Sequence, residues 1–397
     1  MPKLTLKDVD LTGKTVLMRV DFNVPIKNGV ISDDNRIQQA LQSIRFVLEK
    51  NAKLILTSHL GRPSGKPDPE FSLEPVANHL QTLISGKVHF APDCIGESAE
   101  RVIAEAGPGE VVLLENVRFH PEEKKNDPGF SKKLAAHADL FVNDAFGSSH
   151  RAHSSVAGVT EFLQPAVSGF LLEKEIRYLN ESVNNPVRPF TAILGGAKVS
   201  DKIGVIENLL NKVDNILIGG GMTYTFYKAK GLPIGNSLLE EEKVELAGEL
   251  IRNAEERGVD LLLPIDSVVS REFSNDAERA VVDEDGIEDG WMALDIGPKS
   301  ISLFSKVILG SKTVVWNGPM GVFEMSNFAK GTFEVAEALA KATRNGATTI
   351  IGGGDSAAAI KKAGLEEAVS HVSTGGGASL EFLEGKDLPG VISLTDA

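Results

Sequence analysis

The sequence predicts an α/β protein built from two doubly wound parallel-sheet domains that face a cleft. Short apolar runs without polar alternation recur along its 397 residues, and helical patterns lie between them. Such runs are typical of strands buried on both faces, and strands that alternate with helices indicate parallel βαβ units. The length agrees with two or three domains of ordinary size.

Apolar runs rich in leucine or β-branched residues carry the strand prediction. We predict strands at 16–20, 54–57, 111–114 and 140–142 in the first half and at 191–194, 216–218, 261–263, 313–316, 349–351 and 372 in the second. Apolar residues recur at helical spacing over 34–50, 200–210, 239–257, 331–344 and 356–363. The order of these elements predicts two Rossmann-like sheets.

A helical pattern over 168–184 joins two halves of different chemistry. Residues 1–170 contain 19 Lys and Arg against 21 Asp and Glu, whereas the rest contains 22 against 34. Ser168 is the expected N-cap, and Asn185-Pro186 ends the pattern. We therefore predict a first domain over 1–170, an interdomain helix over 171–185 and a second domain over 186–384. The alternative for the joining segment is an ordinary helix of the first domain.

Composition excludes several classes of protein. The formal net charge of −14 argues against a general nucleic-acid binder, which needs a basic surface. The N-terminal segment lacks the apolar stretch of a signal peptide, and no apolar run is long enough to cross a membrane. We therefore expect a cytoplasmic protein with neither nucleic-acid nor membrane partners.

Cysteine and histidine give little sign of a metal centre or a nucleophile. Cys94 is the only cysteine, so it cannot form an internal disulfide, and we expect a buried apolar role rather than a reactive thiol. His150 and His153 are three residues apart, but no third ligand at a recognisable spacing accompanies them. We expect these histidines to form hydrogen bonds.

Cationic and polar side chains follow the strands of the first half. Arg62, Arg118 and Arg151 follow successive strands, while Arg36 lies at the start of the first helix. Since ligands bind at the carboxyl ends of the strands in doubly wound sheets, these arginines are predicted to converge. Each alone fits a structural ion pair, but together their guanidinium forks indicate a site for a small polyanion.

Glycines follow five strands of the second half instead, at 195–196, 219–221, 318, 352–354 and 375–377. Glycine allows a phosphate to approach backbone amides, and the following helix presents its N-terminus to the anion. The P-loop pattern, the G-x-G-x-x-G dinucleotide pattern and the H-R-D loop of protein kinases are all missing. A nucleotide site outside those families is predicted, with Asp355 as a ligand of phosphate-bound Mg²⁺.

Several motifs match one enzyme family along essentially the whole chain. They are RVDFNVP (19–25), HLGRP (59–63), ENVRFH (115–120), NDAFGSSHRAHSS (143–155), GGAKVSDKI (195–203), WNGPMGVFE (316–324), GGGDSAAA (352–359) and STGGGASLEFLEGKDLPG (373–390). Through these motifs the chain resembles the phosphoglycerate kinases of bacterial type.

The resemblance implies reversible phosphoryl transfer between ATP and the carboxylate of 3-phosphoglycerate, giving ADP and 1,3-bisphosphoglycerate. It implies Mg²⁺ bound with the nucleotide, in-line transfer after hinge closure, and a monomer. The first domain would bind phosphoglycerate through Asp21, Asn23, His59, Arg62, Arg118 and Arg151. Arg36 would contact the substrate and stabilise the transferring group, and the tail at about 385–397 would pack back on this domain.

In the second domain the resemblance places Lys198 and Lys202 on the nucleotide phosphates. Gly375 and Gly376, with Thr374, would offer amides to the transferring group. Asn317 and Glu324 would lie by the ribose, and the phosphates would contact Gly353, Gly354, Asp355 and Ser356. Ala293 departs from the family pattern, in which glycine often lines the adenine pocket.

Two functions of other classes are the alternatives. A two-lobed binding module would close on an anion without chemistry, but it would not need a second lobe in which lysines stand beside glycines. A dehydrogenase would need the dinucleotide pattern that this sequence lacks. Turnover of ATP, or absorbance of a nicotinamide, distinguishes the three functions.

Overall fold

Two compact units make up the protein. The structure, a computed structural model, describes residues 2–397. The first unit extends to Ile176 and also includes Asp387–Ala397, and the second unit is Arg177–Lys386. The division between them falls inside a single helix.

A six-stranded parallel sheet lies in the first unit. Its strands are β1 (Thr15–Val20), β4 (Lys53–Thr57), β5 (Val88–Ala91), β6 (Val111–Leu114), β7 (Leu140–Asp144) and β8 (Ala166–Ser168). They lie in the order β5-β6-β4-β1-β7-β8, and a short ribbon of β2 (Ile26–Lys27) with β3 (Val30–Ile31) follows β1. Strand β6 is buried along its whole length, which explains its continuous apolar run.

The helices of the first unit are α1 (Asn35–Glu49), α2 (Glu74–Leu83), α3 (Glu97–Glu105), α4 (Pro128–Ala135), the start of α5 (Phe170–Asn184), and α13 (Pro389–Ile392). The buried residues of α1 recur at helical spacing and pack into the hydrophobic core. The C-terminal tail also packs in this unit. The Gly390 amide donates to the Ser149 carbonyl at 2.8 Å, and the Leu4 amide donates to the Thr395 carbonyl at 3.0 Å.

The second unit contains another six-stranded parallel sheet. Its strands are β9 (Phe190–Leu194), β10 (Asn215–Ile218), β11 (Asp260–Leu262), β15 (Thr313–Asn317), β16 (Thr348–Gly352) and β17 (His371–Val372), in the order β11-β10-β9-β15-β16-β17. Its helices are α6 (Ile203–Leu209), α7 (Thr223–Ala229), α8 (Val244–Glu256), α9 (Pro298–Gly310), α10 (Lys330–Arg344), α11 (Gly354–Lys362) and α12 (Gly376–Leu383). An antiparallel sheet of β12 (Asp266–Ser270), β13 (Arg279–Asp283) and β14 (Met292–Ile296) accompanies them.

The predicted fold class is confirmed, because both large sheets are parallel and helices alternate with their strands. Every predicted strand overlaps an observed one, and the five predicted helices correspond to α1, α6, α8, α10 and α11. The antiparallel sheet was not predicted. In the described part of the chain, no helix combines the length and apolar character needed to cross a membrane.

The predicted N-cap of the joining helix is wrong. Ser168 is the last residue of β8 and is 2% exposed, and α5 begins at Phe170. The carboxylate of Asp144 caps α5 instead, since its Oδ1 accepts the Leu171 amide at 2.9 Å and the Leu172 amide at 3.2 Å. The capping side chain thus comes from the end of β7, far from the helix in sequence.

The stability contributed by Asp144 is expected to depend on pH. Burial raises the pKa of Asp144 from 3.8 to about 6, although hydrogen bonds to Ser43 and to the α5 amides oppose the shift. The folded protein therefore binds this proton more tightly than the unfolded chain, and stability falls as the pH rises through that window. Asparagine does not titrate. We therefore expect the unfolding temperature of Asp144→Asn, measured relative to that of wild type, to increase as the pH rises from 3.8 to about 6.

Calorimetry over a series of pH values measures this difference. Asp127→Asn is the control, because Asp127 also caps a helix, through the Phe130 amide at 2.8 Å, but is only half-buried. A temperature difference between Asp144→Asn and wild type that stays constant with pH would contradict the prediction.

Candidate active site

Arg36 and Asp21 form an ion pair at the carboxyl end of the first sheet. Asp21 follows β1, Arg36 lies in the first turn of α1, and their Nη1 and Oδ2 atoms are 2.7 Å apart. Burial alone would raise the pKa of Asp21, but the positive charges of Arg36 and Arg19 lower it below its usual range. The Arg36 side chain keeps 36% exposure against 11% for Asp21, so the guanidinium is fixed and still open to solvent.

Asn23, Gly61 and Arg118 connect neighbouring strand ends. The Gly61 amide donates to Asn23 Oδ1 at 2.8 Å, and Arg118 Nη1 donates to the Gly61 carbonyl at 2.8 Å. Arg118 Nε is buried and has no hydrogen-bond partner among residues 2–397. Because an unpaired buried donor is costly, this N–H group is suited to binding an anion.

Arg62 and Arg151 are exposed on the loops that follow β4 and β7. Burial, together with the positive charges of Arg118, Arg19 and Arg151, lowers the pKa of His153 to about 4. His153 is therefore neutral at physiological pH. Arg62, Arg118 and Arg151 thus lie on connections at one edge of the first sheet, where Arg62 and Arg151 supply exposed charge, and Arg36 lies at the start of α1.

A buried charged network under this edge was missed by sequence reasoning. Arg19 is 1% exposed within β1, and Glu123 is 0% exposed. Arg19 Nη2 lies 3.0 Å from Nδ1 of the predicted ligand His59, and Arg19 Nε donates to Ser155 Oγ at 2.9 Å. An arginine inside the apolar run TVLMRV was the available signal, because a buried cation requires partners.

Cys94 is buried, and its thiol donates to the Glu115 carbonyl at 2.8 Å. Burial raises the pKa of this thiol well above its usual value, so it is a poor nucleophile. Asp93 Oδ1 accepts the Cys94 amide and also contacts His120 Nε2, each at 2.6 Å. The possible metal-ligating atoms of Asp93, Cys94 and His120 lie within 4.8 Å of one another, but hydrogen bonds already engage all three.

A pocket of about 530 Å³ lies where the strands of the second sheet end, and we call it the phosphate pocket. Lys198, Lys202, Asn317 and Asp355 are among its lining residues. Lys202 Nζ donates to Asn317 Oδ1. Burial lowers the pKa of Lys202, and the nearby carboxylates Asp201 and Asp355 oppose that shift.

The N-termini of α11 and α12 adjoin in this pocket. A Cβ atom on Gly376 would lie 3.1 Å from the Gly354 amide nitrogen, so glycine permits their close approach. Gly353 precedes α11 with φ +89°, a conformation that favours glycine. Asn317 Nδ2, beside Gly353, is buried and without a hydrogen-bond partner in the described chain. Two helix N-termini and the unpaired side-chain amide of Asn317 favour the binding of a phosphate group here.

Ser356, predicted to contact the nucleotide phosphates, and Gly375, predicted to offer its amide to the transferring group, both form hydrogen bonds within the protein. Ser356 Oγ accepts the Gly318 amide at 2.6 Å, and the Gly375 amide donates to Ser373 Oγ at 3.2 Å. Thr374 lies between β17 and α12 and is half-buried. The Ser356 hydroxyl therefore links two separate segments, and the Gly375 amide is engaged within its own turn.

A second pocket of about 480 Å³, which we call the base pocket, is lined mainly by apolar side chains. Ala293 is 7% exposed in its wall, while Leu238 and Phe273 are exposed at 48% and 63%. Glu324 and Asp355 also line this pocket, and Asp355 is common to both pockets. Asn317 lines only the phosphate pocket, so its expected place by the ribose stays a prediction.

The glycine-rich segment that carries both lysines is fixed by Glu240. Its carboxylate accepts the Ser200 amide at 3.0 Å and the Ser200 hydroxyl at 2.5 Å. The helix α6 begins after this segment, at Ile203 rather than at the predicted residue 200. Lys198 is consequently in a loop, and Lys202 immediately precedes the helix.

The chain matches known proteins along nearly its whole length. Residues 6–386 match the family described as Phosphoglycerate kinase. The phosphoglycerate kinase of Chlorobium phaeobacteroides is 57% identical over 397 residues, covering 100% of both chains. The cytosolic phosphoglycerate kinase of Triticum aestivum is 57% identical over 394 residues, covering 99% of this chain and 98% of the relative.

A solved structure shows the same similarity. The structure of phosphoglycerate kinase from Coxiella burnetii has a TM-score of 0.90 and 42% identity, covering 99% of this chain and 98% of that chain. The similarity therefore extends over both units and all the motifs quoted above. The chain belongs to the phosphoglycerate kinase family.

Proposed function

We propose that the chain catalyses reversible phosphoryl transfer between ATP and the carboxylate of 3-phosphoglycerate, giving ADP and 1,3-bisphosphoglycerate. The observation that carries this proposal is the phosphate pocket, where Lys198 and Lys202 meet the N-termini of α11 and α12. Full-length similarity to phosphoglycerate kinases supports the choice of acceptor.

The phosphoglycerate site is proposed to be the cationic edge of the first unit. Arg36 is held by Asp21 and remains partly exposed, while Arg118 Nε is a buried donor without a protein partner in residues 2–397. Arg62 and Arg151 add exposed guanidinium groups on adjacent loops. Such donors suit an anion with a phosphate at one end and a carboxylate at the other.

The reaction does not call for a general base. An acceptor carboxylate has a pKa near about 3.5–4 and is already ionised at neutral pH. Catalysis then consists of bringing two anions together and stabilising the charge on the transferring group. Arg36, Lys198 and Lys202 are the side chains proposed to do this, with backbone amides at the start of α12.

Asp355 is proposed to hold the Mg²⁺ of the nucleotide. It is an exposed carboxylate in the first turn of α11, and it lines both pockets. Mg²⁺ prefers oxygen ligands and commonly binds through one or two carboxylates together with substrate phosphates. When bound, the metal would neutralise charge on the phosphates. The exposed carboxylate of Asp355 in the phosphate pocket fits Mg²⁺ in this role.

Asp355→Asn is expected to raise the Mg²⁺ concentration needed for half-maximal activity by about tenfold or more, since a neutral amide binds the metal less strongly. Initial rates measured against Mg²⁺ at fixed total nucleotide test this. Glu367→Gln is the control, because Glu367 is an exposed carboxylate beyond the other end of α11. An unchanged Mg²⁺ dependence would remove Asp355 from the proposed metal site.

ATP consumption with and without 3-phosphoglycerate and Mg²⁺ tests the function as a whole, with the acyl phosphate product drained by a coupled reductive step. Turnover that requires both additions supports the proposal. Tight nucleotide binding without turnover would favour a binding module. Nicotinamide oxidation or reduction without ATP would favour a dehydrogenase.

The remaining parts of the proposal concern how the enzyme works as a whole. Direct transfer requires the two substrates to meet, so we propose in-line transfer after hinge closure, with α5 as the segment common to both units. We also propose a cytoplasmic monomer. Sedimentation of the purified protein with and without both substrates measures its mass and any compaction, and a dimer would contradict the monomer.

A further inference from the structure

The guanidinium of Arg19 donates to four groups in the core of the first unit. Nε donates to Ser155 Oγ at 2.9 Å, and Nη1 donates to the Val20 carbonyl. Nη2 contacts His59 Nδ1 at 3.0 Å and Ser148 Oγ at 3.4 Å. Burial lowers the pKa of Arg19 while Glu123 and Asp21 raise it, and a guanidinium starts so far above neutrality that it stays charged. Because it has donors and no acceptor, each partner must accept.

The hydrogen bonds of the Ser155 hydroxyl run in one direction only, from Arg19 to Ser155 and from Ser155 to Glu123. Its single hydroxyl proton is donated to Glu123 Oε1 at 2.6 Å, and its lone pair accepts Arg19 Nε. The carboxylate of Glu123 also accepts the Ser155 amide at 2.9 Å and is fully buried. Turning the hydroxyl proton towards Arg19 would set two donors against each other and deprive a buried carboxylate of a hydrogen bond. Glu123 therefore fixes the orientation of Arg19 through the Ser155 hydroxyl.

The same argument sets the protonation of His59. Its Nδ1 faces a group that can only donate, so Nδ1 must carry a lone pair. A proton on the ring then lies on Nε2, which forms no hydrogen bond within residues 2–397. Burial lowers the pKa of His59 well below its usual value; the charge of Asp21 opposes this shift, and the cations Arg19, Arg118 and Arg36 add to it. The ring is neutral and has one tautomer.

We propose that Arg19 is a positioning residue that holds His59 in the Nε2–H tautomer, so that the ring offers a neutral hydrogen-bond donor to the phosphoglycerate anion. This inference rests on the proposed function, in which His59 is a substrate ligand. The opposite tautomer would present the Nε2 lone pair to an anion, and that contact is repulsive. Arg19 would thus act on substrate affinity through His59 without touching the substrate.

The tautomer is measured directly on the wild-type protein. Long-range proton–nitrogen NMR spectra of ¹⁵N-histidine protein distinguish protonated from unprotonated ring nitrogens, and His59→Gln assigns the His59 signals. We expect an unprotonated Nδ1 and a protonated Nε2 throughout the neutral pH range, with the Nε2 signal shifting when 3-phosphoglycerate is added. A proton on Nδ1, or a mixture of tautomers, would overturn the proposal.

Arg19→Lys tests the positioning step, because lysine keeps a buried cation and loses the fork of donors. We expect a mixture of His59 tautomers and a KM for 3-phosphoglycerate raised about tenfold, with a smaller change in kcat. Ser148→Ala is the matched control, since it removes only the 3.4 Å contact to the same guanidinium and should leave one tautomer. A folded Arg19→Lys protein with the wild-type tautomer and KM would refute the role.

The two possible failures are distinguishable. If Arg19→Lys does not fold, the wild-type spectrum and Ser148→Ala still decide the tautomer. The expected tautomer in a protein without turnover counts against the proposed function and leaves the hydrogen-bond argument standing. The opposite tautomer in an active enzyme counts against the role of Arg19 alone.

Discussion

Arg36→Ala is expected to lower kcat by about 10²–10³-fold while the affinity for 3-phosphoglycerate falls much less. The pair with Asp21 fixes the guanidinium at 2.7 Å, and the remaining exposed part of the side chain is available to a charged group at the sheet edge. A contact that becomes strongest as charge develops on the transferring phosphoryl contributes to kcat more than to binding.

The measurement is steady-state kinetics together with direct 3-phosphoglycerate binding by calorimetry. Arg45→Ala is the matched control, because Arg45 lies on the same helix α1 and donates to the Leu83 carbonyl at 3.1 Å. Arg36→Lys separates charge from geometry, since lysine keeps the cation without the bidentate fork. A kcat of Arg36→Ala equal to that of wild type would exclude a role in the transition state.

The sequence predicts those features of the site that depend on residues directly following a strand. Parallel strands end at one edge of a sheet, so the residues after each apolar run predict both the cationic edge and the glycine-lined pocket. The small antiparallel sheet escaped prediction because its strands do not read as continuous apolar runs. In β13 exposed residues alternate with half-buried ones, and the buried Asp295 interrupts the apolar residues of β14.

The features that could not be predicted depend on contacts between segments that are far apart in the sequence. Asp144 caps α5 from the end of another strand, so the serine nearest the helix was the wrong choice. Arg19 contacts Ser148 and Ser155, which lie 129 and 136 residues away in the sequence, and no spacing rule links these residues. Glu123 likewise lies in a polar stretch, EEKKN, that gives no sign of burial. Side-chain capping and buried charge pairing depend on the finished fold.

Lys202→Met is expected to lower kcat by about 10²–10³-fold with a smaller loss of nucleotide affinity. Methionine keeps an apolar stem of similar length and removes the ammonium group, so packing changes little. The lost cation lies in a half-buried position beside Asn317 and near the start of α11, where weak solvent screening makes each charge matter more. Removing it leaves Asn317 Oδ1 without its donor.

Single-turnover rates and calorimetric binding of ADP measure the two effects separately. Lys212→Met is the control, because Lys212 follows α6 in the same unit and donates to Asn184 Oδ1 at 2.8 Å, outside both pockets. Loss of ADP binding in proportion to kcat would assign Lys202 to nucleotide binding rather than to the transfer step.

The double variant Arg36→Ala with Lys202→Met decides whether the two cations act on one event. Residues that stabilise the same transition state lose their effects non-additively, because either loss already removes much of what the other supports. We therefore expect the double variant to lose less activity than the product of the single losses. Fully multiplicative losses would mean that the two cations act independently, and the expected coupling between them at the transferring group would then be refuted.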